Sequence, residues 1–114
     1  MPTLYKIVPA ALWRDAERTG KFRGSPVDVK DGFIHFSTAL QVAETAAKHF
    51  AGERDLLLVR VDAAALGAAL KWEPARGGAL FPHLYGELDL TMITDVEELL
   101  LTESGAHRFP PLAP

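Results

Sequence analysis

A chain of 114 residues, 48% of them hydrophobic, is long enough for one domain with a sizeable core, and that composition excludes a disordered chain. The formal net charge of -3, from 12 basic and 15 acidic residues, argues against a binder of duplex DNA, which would need a basic stripe for counterion release. The lack of cysteine removes disulfides, thiolate nucleophiles and cysteine-ligated metals, and fits a cytoplasmic protein. No apolar run is long enough to cross a membrane as a helix, and Met1–Lys6 lacks the pattern of a secretory signal.

Taken in chain order, Thr3–Val8 is rich in β-branched and aromatic residues and reads as a strand. Pro9 suits the first turn of a helix over Ala10–Arg18 that turns Leu12, Trp13 and Ala16 inward, and Gly20 closes it. Arg14, Arg18, Lys21 and Arg23 form a basic cluster that reads as a solvated helix end. Lys21–Lys30 has no periodicity and reads as a loop, either a surface connection or a flap over a pocket.

The stretch Asp31-Gly32-Phe33-Ile34-His35-Phe36-Ser37-Thr38 organises the rest. Alternation along a strand sends Ile34 and Phe36 into the core and leaves Phe33, His35 and Ser37 on the other face. Thr38 with Gln41 matches a capping box, so a helix is expected to start there, with Ala43, Ala46, Ala47 and Phe50 as its apolar stripe and Gly52 at its end. Leu56–Val61 is nearly continuous in apolar residues, as in a central strand covered on both faces. Asp62 caps a short turn through Leu66, Leu70–Glu73 is a short strand, and Pro74–Gly78 is a loop that carries Arg76.

Leu80–Tyr85 is a second strand with Phe81, His83 and Tyr85 on one face. Pro82 lacks a donor, so this strand is expected at a sheet edge or to begin there, and Gly86 allows a bulge or a close ligand approach. Leu88–Leu101 holds one or two more strands, with Thr94–Glu97 readable instead as a helix start. Arg108–Pro114 reads as a poorly ordered proline-rich tail. The class is α+β: a single domain over residues 1–114, core 3–101, with five or six short strands and two or three helices.

His35 with Ser37 and His83 with Tyr85 share one design, an imidazole followed two positions later by a hydroxyl on the same face. Together they suggest one aromatic, polar cleft for a small ligand, which Trp72 and Glu73 complete. Ser37 and Thr38 equally suit capping, Trp72 and Tyr85 equally suit a core, and His49 and His107 read as structural. No nucleophile elbow, phosphate loop or His-Glu-x-x-His pattern occurs, and no metal is expected.

The two stretches, with Leu4–Ile7, the Trp13 helix, Leu58–Val61 and Trp72-Glu73, resemble the signatures of domain-of-unknown-function family 952 over roughly Thr3–Leu101. That family is similar to the ADP-ribosyltransferase fold, a split, mixed β-structure that grips NAD in a central cleft. The resemblance implies an ADP-ribosylation-like fold and a transferase acting on NAD or a nucleotide-linked substrate. It implies that His35 contacts ribose, that Ser37 and Thr38 line the cleft, and that Tyr85 stacks on a ring. Glu73 is the candidate carboxylate, in the family's Trp/Tyr-Glu position; His83 is expected to orient ribose or phosphate with His35, and Trp72 and Gly86 to complete the ligand contacts. A non-catalytic small-metabolite module and, less favoured, a metal-dependent hydrolase are the alternatives. Oligomeric state stays open.

Overall fold

The computed structural model describes residues 2–114, apart from the side chain of Arg76, so the loop cation expected there lies outside the described residues. Strand β4 (Leu56–Asp62) is the centre of the larger sheet, ordered β1-β4-β8-β9 with β1 (Thr3–Pro9), β8 (Ile93–Leu101) and β9 (His107–Arg108). Its apolar run is the cause: Leu58, Val59 and Val61 are fully buried, and such a strand is stable only with both faces covered. A second sheet is ordered β3-β6-β5, from β3 (Ile34–His35), β6 (Leu80–Leu84) and β5 (Leu70–Pro74). A two-stranded ribbon joins β2 (Lys21–Phe22) to β7 (Leu88–Asp89). All these ladders are antiparallel, where the family resemblance implied a mixed structure.

Helix α1 (Ala10–Thr19) buries Ala10, Trp13 and Ala16 and ends at Gly20, whose φ of 80° is the left-handed cap expected of it. Alternation along β1 serves two cores. Leu4 and Val8 join Trp13, Phe22 and Ile34 beneath α1, while Tyr5 and Ile7 meet Val42 and Ala46 of α3 (Val42–His49). The two larger sheets are stitched at one point, where Tyr5 and Ser37 exchange backbone hydrogen bonds of 2.8 and 2.9 Å.

Several expectations are corrected. The expected loop over Lys21–Lys30 contains β2 and the six-residue helix α2 (Pro26–Asp31), whose exposed valines hide any apolar periodicity. The helix expected from Thr38 begins at Val42. Gln41 Oε1 accepts the Thr38 N–H at 3.0 Å, half of the expected capping box, but it closes a turn ahead of the helix. That offset rotates the inward face to Val42 and Ala46, with Phe50 packed beside them, and leaves Ala43 and Ala47 exposed. Thr94–Glu97 lies within β8. The described residues hold nine strands and four α-helices, the fourth being α4 (Ala63–Leu66), because several strands are only two residues long.

Pro82 sits in the middle strand of its sheet, opposite Trp72, and not at an edge. The N and C=O of one strand residue point to the same side. The Pro82 carbonyl accepts the Phe36 N–H at 3.0 Å, so its missing donor faces β3, at the point where the two-residue β3 ladder stops. The tail is strapped down: β9 pairs with β8, and Ala113 exchanges hydrogen bonds of 2.7 and 2.9 Å with the Tyr5 hydroxyl. Among the described residues no helix is long and apolar enough to cross a membrane.

Candidate functional site

Antiparallel register puts His35 of β3 directly opposite His83 of β6, and opposed residues share a face. Their rings lie 5.4 Å apart at 68°, as the shared cleft expected of them requires. Phe33 organises this centre: its ring stacks on His83 at 4.1 Å and leans on His35 at 4.6 Å and Tyr85 at 5.2 Å. Each imidazole is held at Nδ1 by a carboxylate. His83 Nδ1 lies 2.8 Å from Glu73 Oε1, which stands diagonally across the β5–β6 ladder, and the Tyr85 hydroxyl donates to the same oxygen at 2.7 Å. The bonds from Tyr85 and His83 hold the Glu73 carboxyl below its ordinary range, and the hydrogen bond to Glu73 raises the Tyr85 phenol.

The partner of His35 is Asp28, the one buried residue of α2, 1% exposed. Its Oδ1 is 2.6 Å from His35 Nδ1 and accepts the His35 backbone N–H at 3.1 Å, and its Oδ2 accepts the Ser25 N–H at 2.9 Å. Lys6, projecting from β1, places Nζ 2.9 Å from Asp28 Oδ2. Burial opposes ionisation of Asp28, but the bonds from His35, Lys6 and Ser25 outweigh it and hold the carboxyl well below the usual carboxylate range. Burial also lowers the Lys6 amine, against the pull of Asp28. The outer nitrogen of His35, Nε2, lies 3.0 Å from Asp31 Oδ2 at the end of α2.

A cavity of about 620 Å³ opens beside these groups. His35, His83, Ser37, Lys6 and Asp31 supply its polar wall, and Tyr5, Phe36, Phe50 and Phe81 supply an aromatic one. His83 is 5% exposed yet borders this space, so its burial is partly against the cavity. The Ser37 hydroxyl is 2.9 Å from that of Thr45, another lining residue. Thr38, Trp72, Glu73, Tyr85 and Gly86 stand outside the walls. Trp72 shares the strand face opposite to Glu73, and Tyr85 and Gly86 lie exposed just past the end of β6. Glu73 touches the cavity's lining through its bond to His83. Among the described residues, no three His, Asp or Glu side chains gather as metal ligands would.

Carboxylate anchoring at Nδ1 fixes the His83 tautomer and leaves its Nε2 to accept or give a proton, whereas His35 Nε2 faces Asp31 Oδ2 and meets a ligand only in exchange for that contact. The arrangement can therefore hydrogen-bond hydroxyls of a bound molecule, at His83 directly and at His35 by displacing Asp31. The sequence does not single out Lys6, Asp28 or Thr45, and His49, which reads as structural, also lines the cavity. A lysine inside an apolar strand and an acid three residues after Ser25 are the signals that point to the first two.

The model of the family described as Protein of unknown function (DUF952) matches residues 7–96. The chain is 47% identical to protein CC0527 from Caulobacter crescentus in an X-ray crystal structure, with a TM-score of 0.90 over 93% of each chain. A solution NMR structure of CC0527 gives 48% identity and a TM-score of 0.84, over 93% of this chain and 91% of that one. No curated protein matches.

Proposed function

The chain belongs to the family described as Protein of unknown function (DUF952), and on that premise we propose that its cavity is a small-molecule site of NAD- or nucleotide-binding type. The observation that carries this reading is the pair of carboxylate-anchored imidazoles, 5.4 Å apart, on the wall of a cavity of about 620 Å³. That volume lies in the range of ligand pockets, ~300–1,000 Å³. A ribose sets its hydroxyls against His35 and Ser37, and a flat ring lies along the aromatic wall. His35 and His83 orient the ligand and carry the proton in a transfer of ADP-ribosyl or phosphotransferase type. The two sheets joined at Tyr5 and Ser37 suit an ADP-ribosylation-like split structure, and the absence of cysteine suits the cytoplasm.

A second reading, a metabolite-binding module without turnover, is favoured by one feature. The lysine of the wall is neutralised by Asp28, and both imidazoles are already tied to carboxylates.

Isothermal calorimetry with NAD and ADP-ribose tests the site. Binding is expected for at least one of them, with affinity reduced tenfold or more in His35→Ala, equivalent to about 1.4 kcal/mol. No heat from either at millimolar concentration overturns the nucleotide reading.

A further inference from the structure

We propose that α2 is a hinged lid over the cavity, held closed by one side chain, Asp28. Four residues on or beside this helix line the cavity: Ser25, Pro26, Val27 and Asp31. An element that stays put normally buries an apolar face. This one buries only Asp28, while Val27 and Val29 are 54% and 68% exposed. The backbone bonds of Val29, Gly32 and Phe33 all return to Ser25 and Asp28, within the segment itself.

Among the described residues, the ties from α2 to the rest of the domain are therefore ionic and few. Asp28 holds Lys6 of β1 and both the ring and the backbone N–H of His35 in β3; Asp31 reaches the far side of the same imidazole. These groups, with the Ser25 N–H, are the charged and polar partners facing the latch. The segment is bracketed by Gly24 and Gly32, at φ of 116° and 87°, where a backbone swing meets least resistance. A Cβ at Gly24 would fall 2.7 Å from that of Asp28, so the first hinge is also shaped around the latch.

Local opening of this kind costs less than global unfolding and exposes little surface. A ligand that hydrogen-bonds His35 would compete with the latch, so entry and opening are coupled. The lid rests on the reading of the cavity as a ligand site, but its motion is measurable in the ligand-free protein, so the two readings can fail separately.

The test is amide hydrogen exchange followed by NMR at increasing sub-denaturing urea. In the wild type, the Val29, Gly32 and Phe33 amides are expected to exchange at least tenfold faster than that of Leu58 in β4, with little dependence on urea. Asp28→Asn is expected to speed exchange of the Val29, Gly32 and Phe33 amides at least tenfold further with their urea slope still low, and Lys6→Met, which removes the other half of the ion pair, to speed it in the same direction. Exchange of Val29, Gly32 and Phe33 at the rate and urea slope of Leu58 overturns the lid, and this wild-type comparison stands even where a variant does not fold. Unchanged exchange of the Val29, Gly32 and Phe33 amides in a folded Asp28→Asn or Lys6→Met variant overturns the latch.

Discussion

Asp28→Asn is expected to destabilise the domain by about 3–5 kcal/mol in urea denaturation, the usual cost of removing one partner from a buried ion pair. The loss is large because Lys6 would stay buried without its counter-charge, while α2 and β3 lose their common anchor. Adding Lys6→Met to Asp28→Asn should recover part of the loss, since it removes the unpaired buried charge while the amide oxygen of the substituted side chain still accepts a backbone N–H.

The pH dependence follows in sign. The folded state holds the Asp28 carboxyl below its ordinary range, so as pH falls through about 4 the unfolded chain takes up the proton first. The stability Asp28 contributes is therefore present above about pH 4 and is lost progressively in stronger acid. Asp28→Asn lacks this contribution, so the gap between variant and wild type should close as pH drops below about 4. A gap that stays constant down to pH 2 would mean that packing, and not charge, makes Asp28 important.

Deleting residues 109–114 is expected to cost about 2–4 kcal/mol, on the scale of ~1.5–3 kcal/mol for each large apolar side chain fully buried. Phe109 and Leu112 pack against the core of Tyr5, Ile7 and Val42, and the Pro111 carbonyl accepts from Arg60 Nη2 at 2.8 Å. Arg60 also lies over the Tyr5 ring at 5.3 Å, so one side chain holds both the tail and a wall of the cavity. A urea midpoint unchanged by the deletion would show the tail to be a passive covering.

That tail marks the limit of what composition can reveal. A proline-rich end reads as loose, because prolines cannot enter a ladder as donors. Yet their carbonyls still accept, and the donor at Arg60 lies fifty-one positions away in sequence. The same limit hid Asp28, whose partner Lys6 is twenty-two residues upstream. By contrast, β1, β4 and β6 were legible, because burial on alternate or both faces leaves its mark on neighbouring residues. His35 and His83 were each readable as members of a polar row. That they oppose one another is a matter of register, which only the folded chain supplies. Pro82 misled for a related reason: its missing donor is harmless in a middle strand when the neighbouring ladder ends beside it.

At the centre of the proposed site, two imidazoles serve one ligand. Long-range proton–nitrogen NMR of the histidine rings during titration with ADP-ribose or NAD reads this directly. The ring signals of His35 and His83 should move together with a single midpoint while those of His107, bonded to the Glu53 carbonyl, stay in place. Ring signals of His35 and His83 that stay fixed at millimolar ligand, or that move with separate midpoints, would contradict it.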